Sequence, residues 1–163
     1  MCGCFILTQN ALSLKSRFRI DFPEEINHRP SYNISPGQKT AIITGERPHE
    51  LQLYCFGMTN FQMPKQELLI NVRSEGNFNP SNDPDYQGEM GIFNDPDFSG
   101  LIRSQRCLIP ADAYIEASSG PKFNQPYLIY LRKKIRPFSF AGILLKLKTP
   151  PQEAWQYPRQ RNR

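Results

Sequence analysis

Apolar residues in this chain come in short runs, and nearly every run is closed by proline, glycine or a cluster of Asn and Asp. CGCFILT, KTAIIT, LQLYCFG, QPYLIYL and FSFAGILLKL are the clearest of them. Fifteen prolines and ten glycines supply the breaks. Proline removes a helical N–H and glycine costs backbone entropy, so this punctuation leaves no room for long helices. Short apolar runs between turn residues fold instead as strands. No run approaches the roughly 20 apolar residues that a membrane helix needs. The 163 residues suit one compact domain. The class this predicts is α+β, dominated by β-structure, with a few short helices.

Strands are expected at residues 2–8, 39–44, 51–57, 125–131 and 138–147, with a turn near Gly45 and Glu46. RCLIPADAYIEA (106–117) reads as two strands joined by a kink at its proline. NALSLKSRF carries Ala11, Leu12, Leu14 and Phe18 near helical spacing, with Asn10 as its cap. DFPEEINHRPSYNISPGQ reads as a proline-studded loop, and SYNISPG within it has turn chemistry in Asn33, Pro36 and Gly37. Residues 76–100 are dense in Asn, Asp, Pro and Gly and read as a long irregular loop. Residues 1–148 form the expected folded domain, and 149–163 the expected disordered basic tail.

Charge is unevenly placed. The net charge is +5, yet residues 132–163 hold nine Lys and Arg against one acid, Glu153. Such an end suits a polyanion, which it holds by releasing counterions, or is simply a solvated tail. The N-terminus lacks the basic start and apolar core of a secretory signal, so the expected compartment is the cytoplasm. The cysteines, Cys2, Cys4, Cys55 and Cys107, contain no C-x-x-C pair, and the histidines are only His28 and His49. Neither a metal site nor a cofactor is expected. Cys55 and Cys107 sit in apolar runs and read as buried structural thiols.

The chain opens MCGCF. Methionine aminopeptidase removes Met1 when the next residue is small, leaving a cysteine whose α-amine stands beside its thiol. Their reference pKa values are about 7.7–8.0 and about 8.5. Both keep a nucleophilic fraction near neutral pH. A 1,2-aminothiol condenses with an aldehyde, and its sulfur closes on the imine carbon to give a five-membered thiazolidine. Gly3 leaves space beside the warhead. Further along, Asn71, Arg73 and Glu75 alternate in INVRSE and on a strand would share one face, as an anion-binding group or as a surface ion pair. Glu116 lies among Ala, Tyr and Ile in DAYIEA. A carboxylate in partly apolar surroundings is equipped to move protons.

Taken in order, MCG, SYNISPG, INVRSE, RCLIPADAYIEA, QPYLIY and FSFAG resemble the successive motifs of the SRAP family, the SOS response-associated peptidases or abasic site processing proteins. The resemblance runs from Cys2 to about Leu147. It implies a partly open β-barrel and capture of the aldehyde of abasic sites in single-stranded DNA, as a thiazolidine on Cys2. It implies that Asn71 orients the opened sugar, Arg73 holds phosphate, Glu116 shuttles protons, and Asn33 and Pro36 lie against DNA. It further implies autocatalytic removal of the leading residue, hence a hydrolase or protease as well as a lyase-like activity. The partner would be single-stranded DNA, with no membrane involved, and the protein a monomer at the nucleoid when bound. The chain departs from the family pattern in places. The family's His-Asp-Arg-x-Pro motif is absent, which implies impaired cross-linking and inefficient reversal. The domain looks incomplete at its C-terminal end. Cys4 replaces an arginine, Phe56-Gly57 a Trp-Gly segment, and Ala117 an aromatic. On the residues alone two other readings stay open: a degenerate member that holds single-stranded DNA without a covalent bond, and an N-terminal-nucleophile amidase with Cys2 as its nucleophile.

Overall fold

Alternation decides the first strand. In β1 (Cys4–Leu7) Phe5 and Leu7 are buried while Cys4 and Ile6 are half-buried, the period of two that a strand with one core face requires. The computed structural model describes residues 3–23, 26–59, 68–81, 83, 85–117 and 125–146. Helix α1 (Ala11–Phe18) follows, started by Asn10, whose side chain accepts from the Ser13 N–H at 2.9 Å. It stops at Arg19, which is left-handed at φ 54°. Leu14 is its one fully buried contact with the core.

The remaining strands are β2 (Ser31–Ile34), β3 (Lys39–Thr44), β4 (Gln52–Cys55), β5 (Met58–Thr59), β6 (Leu68–Leu69), β7 (Arg106–Ala111), β8 (Ala113–Ala117), β9 (Pro126–Ile129) and β10 (Phe138–Ile143). A second short helix, α2 (Ser99–Ser104), precedes β7. The strands form one sheet in the order β2-β1-β8-β9, a second in the order β10-β7-β3-β4, and the small β5-β6 pair. Every ladder is antiparallel. The two four-stranded sheets do not close on each other, so the fold is α+β, β-dominated and partly open.

Between the sheets lies one core of Phe5, Leu7, Ile34, Ala41, Ile43 and Ala111, closed at one side by Leu14 and Ile20 and at another by Leu51. Aromatic rings line its open end edge-on: Phe5 meets Phe56 at 5.2 Å and Phe140 at 5.9 Å, and Tyr114 meets Phe140 at 5.8 Å. Such edge-to-face pairs add about 0.5–1.5 kcal/mol each beyond the area they bury. The chain passes from the second sheet to the first at Asp112, between β7 and β8.

Several sequence expectations are corrected here. The bend in RCLIPADAYIEA falls at Asp112 and not at Pro110, which sits inside β7 opposite Ser139. β3 reaches only Cys107 and Leu108 of β7, so Pro110 lies beyond that ladder and its missing N–H breaks no bond there. SYNISPG is not wholly a turn, because Ser31–Ile34 pair with β1 and only the residues after them turn. Residues 71–75 are not a strand, for β6 ends at Leu69 and Ser74 and Glu75 already turn. The 76–100 segment holds 3-10 turns at Gly76–Phe78 and Gly91–Phe93. Gly91 must be glycine, since a Cβ there would stand 2.5 Å from the Glu75 carbonyl oxygen. Cys107 is buried as expected, whereas Cys55 is exposed because β4 is an edge strand. Cys2 and the 149–163 tail lie outside the described residues. Among the described residues no helix is long and apolar enough to cross a membrane.

Candidate active site

β1 is a central strand, flanked by β2 and β8, and that position gives the N-terminal residues their neighbours. Cys4 pairs with Ile115 and Phe5 with Tyr114. Continued one residue towards the N-terminus, this register sets Gly3 beside Glu116. Residues directly opposite in an antiparallel pair point to the same face. Glu116 therefore shares the core-side face with Tyr114 and Phe5, at the end of the sheet. It is half-buried there, and Tyr127 of β9 stands across from it on the other side. Among the described residues, its chain neighbours apart, nothing lies within 4 Å of a Cβ built on Gly3, which is exposed.

From Phe5 a chain of contacts runs towards Asn71. Phe56 packs on Phe5. The next residue, Gly57, has φ +96°, a region that favours glycine, and its Cβ position is 3.2 Å from Ile70 Cγ2. Asn71 follows Ile70 and is exposed. The turn carrying Pro36 is tied to the same strand end, with Gly37 N–H donating to the Phe56 carbonyl at 2.7 Å and Phe56 N–H to the Gln38 carbonyl at 2.8 Å. Pro36 is half-buried. Asn33 is exposed on β2, its side-chain oxygen accepting from the Ser35 hydroxyl at 2.9 Å.

Arg73 is committed to a partner. Its Nε and Nη2 both donate to Glu75 Oε1, at 3.1 and 2.6 Å. Those bonds, the Glu75 backbone N–H and the Ser74 hydroxyl hold the Glu75 carboxyl down to about 2. The ion-pair alternative for INVRSE is thus realised. Asn79 completes the cluster: its amide donates to the Asp83 carbonyl at 2.8 Å, and its oxygen accepts from the Asp83 N–H at 2.9 Å.

Burial pushes the Cys107 thiol up to about 11, which makes it a poor nucleophile near neutral pH. Sequence reasoning passed over Asp112. Its Oδ2 accepts from the Thr8 N–H at 2.6 Å and the Thr8 hydroxyl at 2.8 Å, while its own N–H donates to the Ile6 carbonyl at 2.7 Å. It is 3% exposed and fixes the far end of the strand that begins beside Glu116. The signal was an acidic residue placed between two apolar strands, where only a buried, hydrogen-bonded carboxylate is tolerated.

Fold and corner together define a class: a β-dominated domain whose first strand runs through the middle of a sheet and starts beside a carboxylate from the neighbouring strand. The chain belongs to the SRAP (SOS response associated peptidase) family, whose profile matches residues 1–158. It is 30% identical over 156 residues to the abasic site processing protein YoqW of Bacillus subtilis, covering 92% of this chain and 62% of that protein. It is 30% identical over 155 residues to YobE of the same organism, another abasic site processing protein, covering 91% of this chain and 64% of that one. The chain thus spans less than two thirds of the length of these relatives. A crystal structure of a protein from Bacteroides thetaiotaomicron shares the fold with a TM-score of 0.65 at 20% identity, over 87% of this chain and 59% of that chain. A phage-related protein from Bordetella bronchiseptica does so with a TM-score of 0.59 at 23% identity, over 87% and 60%.

Proposed function

We propose that the chain captures the aldehyde of an abasic site in single-stranded DNA, through the amine and thiol of Cys2. The observation that carries this reading is the register of β1 and β8, which pairs Cys4 with Ile115, so that the residues before Cys4 head towards Glu116. The relatives named abasic site processing proteins support it.

With Met1 removed, the Cys2 amine adds to the aldehyde carbon of the ring-opened sugar. The carbinolamine takes a proton on oxygen, loses water and becomes an imine. Cys2 Sγ then adds to the imine carbon, and the thiol proton ends on nitrogen. Two bonds to one carbon form, one water leaves, and no oxidant or reductant is needed. Glu116 gives and takes the protons of these steps. Asn71 holds the opened sugar, and Asn33 and Pro36 border the strand. A guanidinium carries five N–H donors. Glu75 accepts from the Nε and Nη2 of Arg73, which orients the group, and phosphate contact falls to the remaining donors. The family's title of peptidase fits self-removal of the leading residue by the same nucleophile. A role in the DNA-damage response, and a place at the nucleoid, follow from the substrate.

A denaturing gel tests the reading. The purified protein, shown by mass spectrometry to have lost Met1, is incubated with a single-stranded oligonucleotide bearing one abasic site, beside Cys2→Ala. A shifted band in the parent and none in Cys2→Ala is expected. Equal cross-linking by the two proteins would sink it. Binding that ignores the aldehyde and fades with salt would instead favour non-covalent retention by the basic C-terminal end. Turnover of small amides without any DNA adduct would favour an amidase.

A further inference from the structure

Edge strand β9 carries an unusual surface. Tyr127 is 51% exposed and Leu128 is exposed as well, and just past the strand Tyr130 (56%) and Leu131 are exposed too. Among the described residues no strand covers this edge, and an edge of large apolar side chains is a liability that proteins normally cover or charge. Here the charge comes directly after it: Arg132, Lys133 and Arg136 are all exposed. An exposed ring on a strand, followed in the chain by cations in the 3-10 turn Arg132–Lys134, offers the parts of a single-strand nucleic-acid track, in which bases stack and phosphates are neutralised.

One ring has a defined place in that track. Tyr127 pairs with Glu116, on the same face, at the end where β1 begins. Side chains opposite each other in such a pair have their Cβ atoms about 4.5–5.5 Å apart. A sugar held at Glu116 therefore has its neighbouring nucleotide within reach of the Tyr127 ring. The residue after Glu116 is Ala117, which offers no ring of its own.

We propose that Tyr127 is the platform on which the base adjoining the lesion stacks, with Arg132 and Lys133 taking the phosphates that lead away from it. This rests on the abasic-site reading above. It adds a specificity-determining residue to that site and makes β9 its nucleic-acid-facing edge.

The test uses the full chain and two oligonucleotides. One carries a single abasic site between ordinary bases, and the other also lacks the base on the neighbouring nucleotide. On the first, at sub-saturating concentration, Tyr127→Ala is expected to cross-link on the order of tenfold more slowly. Tyr127→Phe, which keeps the ring, is expected to match the parent. On the second oligonucleotide the parent drops to the rate of Tyr127→Ala, because the base that would stack is gone. A Tyr127→Ala penalty of the same size on both oligonucleotides means a structural role and overturns the proposal. So does a Tyr127→Ala rate equal to the parent on the first. A second arm stands apart from the chemistry. In a Trp155→Phe background, Tyr127→Trp fluorescence is expected to be quenched by single-stranded DNA that retains its bases, and not by a strand of abasic residues. If the parent forms no adduct but this quenching occurs, the capture reading fails and the stacking platform stands. Absence of quenching at saturating DNA overturns the platform, and quenching that follows protein concentration without DNA assigns the edge to self-association and overturns it too.

Discussion

β3 and β9 are built from comparable apolar residues and meet opposite fates. In β3, Thr40, Ala41, Ile42, Ile43 and Thr44 are all buried. In β9 only Ile129 is even half-buried. β3 lies between two strands, with one core cluster on one face and a second, around Ile42, Cys107 and Leu144, on the other. Among the described residues β9 has a neighbour on one side only. Position in the sheet, and not hydrophobicity, divides the strand that holds the fold together from the strand whose side chains stay exposed.

The contrast can be broken most severely at Ile43. Ile43→Ala is expected to lower the unfolding free energy by about 2–5 kcal/mol, read from urea melts, since it removes buried methylenes from a packed core. A loss below that of Leu128→Ser would invert the comparison. Next comes the junction that joins the two sheets. Asp112→Ala strands the Thr8 N–H and hydroxyl without their acceptor, each costing about 1–3 kcal/mol, while Asp112→Asn keeps an acceptor and is expected to lose less. Equal melting of the two variants would mean that the hydrogen bonds do not matter.

A smaller effect belongs to the Arg73–Glu75 pair. The Glu75 pKa is lowered on folding, so its contribution is fully present above the ordinary carboxylate range near 4.5 and is lost as pH falls towards about 2. Amide exchange at Ser74 to Asn79, compared at pH 5 and pH 3, should show that segment loosening ahead of β3, and Arg73→Ala should remove the difference. Leu128→Ser on β9 closes the series, within about 0.5 kcal/mol of the parent. A loss of several kcal/mol there would show that the edge is covered in solution.

Much of the fold was legible because local signals agreed with it. Asn10 capped the helix it was expected to cap, and β1, β3, β4, β9 and β10 arose where apolar runs stood between turn residues. β2 was hidden because Ser31, Tyr32 and Asn33 carry no apolar alternation, and its pairing comes entirely from β1. Pro110 misled because a proline in a strand reads as a break unless the extent of the neighbouring ladder is known. At the candidate site the residue types were readable, but their neighbours were not. That Glu116 lies opposite Tyr127 and just beyond the Cys4–Ile115 pair is a matter of register, set in the second case by strands more than a hundred positions apart in the chain. The commitment of Arg73 to Glu75 was open for a related reason, since it depends on the chain turning at Ser74 rather than running on as a strand.

The clasp between Thr8 and Asp112 spans 104 residues of sequence. A ribosome adding about 5–20 residues per second needs roughly 5–20 s to travel that distance. Throughout that interval the first strand has no β8 to pair with. If the proposed capture by Cys2 holds, its amine would be in place before Glu116 has been made.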